Sequence, residues 1–523
     1  MRKGLVVVGL TAIVVGSIGY LRLMDEALPE PAGAGTPRAV SPTGHDTAAE
    51  TSPPSVPAAN AAPGGLLETQ RLLRRHDFEA LRRLVEAKQA RLEQDVRWED
   101  ELGQAVAAFD VADPALTPLL DAWVVAQPDA WAPRLARARH RLAVAWERRG
   151  SKWAKDTSEE QVAGMRESLD EAIGDAREAL RHNPKLTEAY RTLIKAAMGR
   201  GDPQACVRLA ELGLAVAPAS LRVRSALAVC LLPRWGGSYD AVAALAREAQ
   251  KYAGQNPALA ALLGFVDWDR GCIARNDKKY DEAAALFTRA LAAGEHAYFY
   301  YDRADTYLRQ KRYTEALADV ARLLAMAPED PGVLLTRAWI LVGLERYQDA
   351  LADVQVMSEF DPTSDRLARF RQQQAETALS QAYQLLEMTK DVEGAIARYT
   401  WAIQMSPANA EALYWRGRAY IRKDDRVHAL ADFEAAIRLD PRHFESYRNV
   451  DWLLAQRGDW DGVIAHWTRY IDLEPLNGQA YLERGGAYHR KGDQRAALAD
   501  ADKACGLGAP RACELIGRGS ATR

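Results

Sequence analysis

Residues 233–238 read PRWGGS and combine the residue types best suited to hold a ligand. Arg234 supplies a cation and Trp235 a flat ring, while the two glycines permit close approach of a backbone. Together with Trp146 they mark region 140–240 as the place where an enzyme or small-ligand sensor would have its site. A structural interpretation explains the same residues, because a tryptophan packed under a glycine turn needs no ligand. We favour the structural interpretation.

The chain lacks the motifs of common catalytic chemistry. No G-x-x-x-x-G-K-[ST], G-x-G-x-x-G, H-E-x-x-H, G-x-S-x-G or paired C-x-x-C occurs, and the nine histidines are scattered rather than set at metal-ligand spacing. The 68 Lys plus Arg against 71 Asp plus Glu give a formal charge of -3, which disfavours a polybasic binder of nucleic acid or acidic membranes. We therefore predict no catalytic residue, no cofactor, no bound metal and no nucleic-acid partner.

Five cysteines could form disulfides outside the cytoplasm. Cys505 and Cys513 are close enough in sequence to join the last helix to a terminal cap, which is a hypothesis of one bond. Cys206, Cys230 and Cys272 fall where small buried residues are expected, so we predict a packing role for each of them.

The N-terminal residues 1–24 predict a membrane anchor. Residues 5–21 carry no charge and are nearly long enough to cross a bilayer, and Arg2 and Lys3 precede them. No small-x-small cleavage site follows directly, so we predict an uncleaved signal anchor over residues 1–24, with the rest of the chain outside the cytoplasm. Two alternatives stay open: a cleaved signal peptide, and an anchor that leaves the repeats in the cytoplasm.

Residues 25–66 are rich in Pro, Ala, Gly, Ser and Thr and have almost no large apolar side chains. Such a segment cannot bury enough surface to fold. We predict a disordered tether that gives the folded part its reach.

Beyond Leu66 the apolar spacing is helical, and short Gly, Asp, Asn or Pro breaks separate segments of helical length. The segment YTEALADVARLLAMAPED at 313–330 has a close counterpart in YQDALADVQVMSEFDPTS at 347–364. A spacing of about 34 residues between two such segments indicates a repeat of helical units. The predicted fold class is all-α.

The repeat resembles the tetratricopeptide repeat (TPR). In the unit that begins at Ala410 the small, aromatic and proline positions of that family are filled by Gly417, Tyr420, Ala429, Phe433, Ala436 and Pro441. The resemblance implies a right-handed superhelical solenoid of antiparallel helix pairs whose first helices line a concave face. We place the TPR array at residues 256–523.

Residues 67–255 follow the repeat less closely and resemble an uncharacterised bacterial family, the domain of unknown function 4034. The shared segments are AWxxRG, here Ala145, Trp146, Arg149 and Gly150, and PRWGGS at 233–238. The resemblance implies no known chemistry. It does imply a bacterial protein, for which the predicted anchor at residues 1–24 indicates an inner-membrane location with a periplasmic folded part, or a secreted periplasmic protein if the signal is cleaved.

The TPR resemblance also selects the residues that would face the concave surface. In that family a few positions of each first helix face the groove, and aromatic and arginine side chains are common interface anchors. The selected residues are Tyr298, Tyr301, Arg309, Tyr414, Arg418, Arg422, Arg448, Trp452, His489 and Arg490. We predict a membrane-tethered scaffold or adaptor that binds proteins or peptide segments there.

Overall fold

The computed structural model describes residues 65–150 and 157–514, and every regular element in these ranges is helical. The predicted all-α class is therefore confirmed for this part of the chain. The predicted anchor at 1–24, and the predicted tether up to residue 64, lie outside the described residues. Within the described ranges, no helix has both the length and the apolar character needed to cross a bilayer.

The chain divides into two compact units, and the division falls between Ser364 and Asp365. Unit 1 contains sixteen α-helices among its described residues: α1 (Leu66–Arg74), α2 (Phe78–Gln94), α3 (Glu99–Ala107), α4 (Leu116–Ala126), α5 (Trp131–Arg149), α6 (Glu159–His182), α7 (Thr187–Gly199), α8 (Pro203–Val216), α9 (Leu221–Cys230), α10 (Tyr239–Ala249), α11 (Phe265–Asn276), α12 (Tyr280–Ala293), α13 (Ala297–Arg309), α14 (Tyr313–Met326), α15 (Pro331–Gly343) and α16 (Tyr347–Phe360).

Unit 2 contains eight α-helices among its described residues: α17 (Asp365–Gln384), α18 (Val392–Met405), α19 (Ala410–Arg422), α20 (Arg426–Leu439), α21 (Phe444–Gln456), α22 (Trp460–Leu473), α23 (Gly478–Lys491) and α24 (Gln494–Gly506). In unit 1 the pairs α5–α6, α7–α8, α11–α12, α13–α14 and α15–α16 pack as antiparallel neighbours, and unit 2 consists of such consecutive pairs throughout its described residues. We call the first helix of a pair its A helix and the second its B helix.

Local sequence explains why the helices begin and end where they do. The Asn409 side chain accepts a hydrogen bond from the Ala412 N–H at 2.9 Å and begins α19, and Asp425 caps α20 in the same way. Pro441 follows α20 closely, where it cannot continue a helix. Caps and prolines that recur with the repeat therefore produce helices of nearly constant length.

Small residues let the paired helices approach, as the repeat pattern predicts. A Cβ atom placed on Gly417 of α19 would lie 2.7 Å from the Phe433 ring of α20, so a larger side chain there would displace the ring. Phe433 is fully buried. The ring of the B helix thus fills the space that the glycine of the A helix leaves.

An arginine–aspartate clamp joins the A and B helices of four repeats. Arg416 donates to Asp432 through Nε at 2.8 Å and through Nη2 at 2.7 Å, and its Nη1 reaches Thr400 of the preceding B helix at 3.1 Å. Equivalent pairs, each 16 residues apart, are Arg303–Asp319, Arg337–Asp353 and Arg484–Asp500. The clamp therefore fixes the pairing within a repeat and, in the three repeats where the arginine also reaches a threonine, the stacking on the preceding repeat.

The repeat formed by α21 and α22 replaces this clamp. Val450 and His466 occupy its two positions, and one residue further along Trp467 donates from Nε1 to Asp451 at 3.2 Å. Trp467 is fully buried among Phe444, Tyr447 and Tyr470. Burial of the Asp451 carboxyl raises its pKa to about 6, because little charge compensates the loss of water.

We expect Asp451→Asn to remove a pH dependence of the stability of unit 2. The raised pKa means that the folded state holds a proton that the unfolded state has released, so wild-type stability should fall as pH rises from about 4 to about 6. Asparagine cannot ionise but can still accept from Trp467, so the variant should lose this dependence and be the more stable protein at pH 7. Urea denaturation at pH 4.5 and pH 7 measures the difference. The exposed Asp472→Asn serves as the control, and equal pH slopes for wild type and Asp451→Asn would contradict the expectation.

Two disulfides occur among the described residues. Cys505 and Cys513 are bonded, in agreement with the predicted pairing. Cys206 and Cys230 are buried as expected, but the prediction of separate packing residues was wrong because they are bonded to each other and join α8 to α9. Spacing could not reveal this pair, since only the antiparallel packing of the two helices brings the sulfurs together. Cys272 is buried and free.

Candidate partner-binding surface

The PRWGGS segment is a structural turn. Residues Pro233–Trp235 form one 3-10 turn, and Gly236 adopts a left-handed conformation with φ 87°. A Cβ atom on Gly237 would lie 2.0 Å from the Leu231 carbonyl oxygen, so only glycine fits there. Each glycine is therefore required by the backbone itself.

The side chains of Arg234 and Trp235, which suggested a ligand site, make their contacts inside the protein. Arg234 forms an ion pair with Asp269 at 2.6 Å and is 10% exposed, and Trp235 is buried. Tyr239 donates to the same Asp269 carboxylate at 2.9 Å, and burial together with that carboxylate raises the pKa of Tyr239 to about 12. This arrangement ties the turn to α10 and α11 and accounts for the residues without a ligand.

Trp146 is also buried, and it packs in the core that includes Met165 and Leu169. The sequence around Trp146 is compatible with a binding role, because the burial of a tryptophan depends on helices that are distant from it in the chain.

A cavity of about 370 Å³ lies elsewhere in unit 1, between the end of α2 and the loops that precede α7 and α9. Gln89, Glu93 and Lys185 are among its lining residues, and neither Trp146 nor Trp235 is.

The predicted groove residues of unit 1 offer little free surface. Tyr301 is 4% exposed and accepts a hydrogen bond from Thr336 of the next A helix. Arg309 is partly buried and donates to Asp305 at 2.9 Å. Tyr298 is partly buried and stacks on Trp268 with ring centroids 5.4 Å apart. The two tyrosines therefore join neighbouring A helices, while Arg309 is held within its own helix.

Of the groove residues predicted in unit 2, some are buried in the fold and others are exposed to solvent. Tyr414 is 7% exposed because its ring packs between Phe433 and His443. Arg422 donates to Glu387 at 2.5 Å and holds the pKa of that carboxyl below its usual value. Arg418 is half-buried, with its guanidinium 5.0 Å above the Trp415 ring.

The remaining four predicted residues form an accessible surface on α21 and α23. Trp452 is 43% exposed, which is unusual for a residue that helices normally bury. Arg448 is 52% exposed, and its nearest carboxylate oxygens, on Glu445 and Glu483, are 3.6 and 3.9 Å away. His489 and Arg490 are exposed near the end of α23.

We call Arg418, Arg448, Trp452, His489 and Arg490 the unit 2 A-helix surface. An exposed indole supplies apolar contact area, and arginines held only loosely can exchange their present partners for those of a ligand. The surface carries no nucleophile with a bonded base, which is what covalent catalysis would require. It is suited to binding.

Family models match most of the described chain. Models described as tetratricopeptide repeat match residues 269–332, 307–374, 410–443 and 452–512, and the model of the domain of unknown function DUF4034 matches residues 66–213. The chain is a TPR protein with an N-terminal DUF4034 region. The two resemblances predicted from the sequence are thus confirmed, the second over residues 66–213, and the four clamps described above lie in segments that the TPR models match.

The TPR protein is similar to several characterised proteins over part of its length. It is 24% identical over 256 residues to the DnaJ homolog subfamily C member 7 homolog of Schizosaccharomyces pombe, which covers 44% of this chain and 54% of that protein. It is 21% identical over 233 residues to the BBSome complex member BBS4 homolog of Drosophila melanogaster, which covers 44% of this chain and 45% of that protein. The chain thus spans about half the length of the curated relatives it matches.

Solved TPR structures show the same kind of partial likeness. The crystal structure of YrrB, described as a TPR protein with an unusual peptide-binding site, has 20% identity and a TM-score of 0.24, over 38% of this chain and 95% of that one. The P58(IPK) TPR domain has 13% identity and a TM-score of 0.24, over 62% of this chain and 94% of that one.

Proposed function

We propose that this TPR protein is a membrane-tethered scaffold that binds proteins or peptide segments on the unit 2 A-helix surface. The observation that carries the proposal is the exposure of Trp452 beside the loosely paired Arg448. Trp146 and Trp235, the other tryptophans considered for binding, are buried. In unit 1, the predicted residues Arg234 and Arg309 form ion pairs with carboxylates of the same unit. Among the predicted residues, those of the unit 2 A-helix surface therefore provide the exposed aromatic and cationic groups that a partner would contact.

The tether and its location form the second part of the proposal. The uncharged stretch at 5–21 behind Arg2 and Lys3 supports an anchor in a bacterial inner membrane, with the folded part in the periplasm. The bonded pairs Cys206–Cys230 and Cys505–Cys513 agree with an oxidising compartment. An anchored scaffold of this kind would concentrate its partners at the membrane through the reach of residues 25–66.

In-cell photo-crosslinking tests the proposed surface. A photoreactive phenylalanine at position 452 should crosslink a defined set of proteins, whereas the same residue at Arg469, exposed on the B helix α22, should not crosslink that set. Arg418→Ala combined with Arg448→Ala should reduce crosslinking at 452 at least about tenfold, since Arg448 lies one helical turn before Trp452 and Arg418 holds the equivalent repeat position on the preceding A helix. The exposed B-helix pair Arg438→Ala and Arg469→Ala is the matched charge control.

The same experiment can overturn the proposal. Equal crosslinking from positions 452 and 469, or an undiminished yield after loss of Arg418 and Arg448, would show that partners bind elsewhere. Circular dichroism of the purified variants establishes that each one is folded.

A further inference from the structure

Three neighbouring A helices of unit 2 carry side chains that reach the surface from one repeat position. Arg418 on α19 and Trp452 on α21 are 34 residues apart and hold the same position. Tyr383 on α17 precedes Arg418 by 35 residues, and the π-helical turn Leu385–Thr389 accommodates the additional residue. We call Tyr383, Arg418 and Trp452 the A-helix row. A fixed interval of 34 residues does not select Tyr383.

The residues that precede the members of the row support this register. Ala382, directly before Tyr383, is fully buried in one cluster with Tyr399 of the B helix α18. Gly417, directly before Arg418, faces the B-helix ring of the next repeat. Tyr383 and Arg418 therefore each follow the small residue that packs on a B helix, and both lie on the same side of their A helices.

Trp415 connects the first two members of the row. The Tyr383 ring meets Trp415 edge-on with centroids 5.3 Å apart, and the Arg418 guanidinium lies 5.0 Å from the Trp415 centroid. The Trp415 indole donates from Nε1 to Glu411 at 2.5 Å, which fixes its ring. Tyr383 nevertheless remains 46% exposed, and Trp452 is 43% exposed. The row thus presents accessible rings that lose little conformational freedom when a ligand binds.

Arg418 is the member of the row that can bind a charge. Its neighbours on α19 are already paired, since Arg416 binds Asp432 and Arg422 binds Glu387. Among the described residues, Arg418 has a ring partner in Trp415 but no ion pair. A carboxylate brought by a ligand would therefore bind this guanidinium without breaking a bond inside the protein.

The spacing of the row suits a polyproline II segment. The axes of packed helices lie about 8–10 Å apart, which sets the distance between successive members of the row. A polyproline II chain has three residues per turn and rises about 3.1 Å per residue, so every third residue faces the same side about 9 Å further on. Such a chain meets one A helix with each turn. Aromatic rings are the surfaces on which proline-rich segments of this conformation dock.

We propose that the A-helix row binds a polyproline II segment of a partner protein, with proline, an acidic residue and proline at every third position. The two prolines pack on the rings of Tyr383 and Trp452, and the carboxylate between them binds Arg418. The inference rests on the function proposed above, and it specifies the chemistry of the partner for part of the same surface.

Fluorescence anisotropy with the purified full chain in detergent micelles tests the pattern on a defined probe. The probe is a labelled heptapeptide with proline at positions 1, 3, 5 and 7, glutamate at position 4 and alanine at positions 2 and 6. We expect saturable binding. A peptide of the same composition with glutamate at position 2 should bind at least about fivefold more weakly, because its carboxylate and two prolines cannot meet the three side chains together.

Charge reversal at Arg418 provides the matched comparison. Arg418→Glu should weaken binding of the glutamate peptide at least about tenfold and should strengthen binding of the corresponding lysine peptide by a similar factor. Tyr383→Ala and Trp452→Ala should each weaken the glutamate peptide about five- to tenfold. Arg469→Glu on the exposed face of α22 and Trp98→Ala, at a 40% exposed position of unit 1, are the controls and should change binding less than about twofold.

Several results would overturn the inference. They are affinity that is indifferent to the position of glutamate, affinity that is unchanged in Arg418→Glu and Trp452→Ala, and tighter binding of an amphipathic helical peptide that lacks proline. Tyr383 and Trp452 are exposed, so their variants decide the matter even if Arg418→Glu folds poorly. Photo-crosslinking at position 452 separates this inference from the proposed function. Captured proteins without heptapeptide binding would leave the scaffold in place and refute the polyproline partner, whereas failure of both would refute both.

Discussion

Replacing Glu188 by alanine should destabilise unit 1 by about 3–5 kcal/mol. The Glu188 carboxylate is 1% exposed and accepts from Arg139 at 2.5 Å, from Arg191 at 3.1 Å and from Arg222. Burial opposes its ionisation, but the three guanidinium groups hold the pKa of Glu188 well below its usual value. Alanine would leave these cations and the adjacent buried Lys195 without their central anion.

Hydrogen exchange of α7 amides in a urea series measures the free energy of unfolding of this unit. Glu211→Ala removes the same charge from an exposed position on α8 and should change the stability by less than about 0.5 kcal/mol. Glu188→Gln should also be strongly destabilising, because a neutral amide keeps the shape and loses the charge. A change below about 1 kcal/mol for Glu188→Ala would show that other carboxylates balance the arginines.

Replacing Arg416 by alanine should destabilise unit 2 by about 2–3 kcal/mol, which is less than for a fully buried pair because the arginine retains some contact with water. Arg416 is 19% exposed and Asp432 is 8% exposed, and the variant leaves Asp432 without its bidentate partner. The hydrogen bond to Thr400, which joins the repeat to the preceding one, is lost as well.

A double-mutant cycle with Asp432→Ala measures the clamp itself. The two single changes should together exceed the double change, since either one alone already breaks the pair. Arg438→Ala, exposed on α20, is the control. Strictly additive effects would mean that each residue acts through packing and that the pairing contributes little.

The clamp illustrates a signal that was present in the sequence but not recognised. Arg303 and Arg337 occupy the same position in successive repeats, and each is followed 16 residues later by its aspartate partner. This interval places two side chains opposite each other in a pair of antiparallel helices joined by a tight turn. A search for polar pairs that recur with the repeat would therefore have found it.

The groove prediction shows where a repeat position is insufficient. Tyr301 and Tyr414 occupy a position that faces the groove in other TPR units, yet both rings are buried. Whether such a ring reaches the surface depends on the side chains of the next A helix and its start, here Thr336 and His443. That depends on how two repeats pack, which the pattern of one repeat does not contain.

Sequence alone was sufficient to predict the helices, their repeat interval, the small and aromatic residues between them and the lack of common catalytic motifs. These features are local, because caps, prolines and apolar spacing act over one or two turns of helix. Long-range packing, in contrast, buries Trp235, leaves Trp452 exposed and brings α1 to α16. The contact from Leu67 to Glu329 spans 262 residues, and it depends on the rotation that accumulates from one repeat to the next. No short stretch of sequence determines this accumulated rotation.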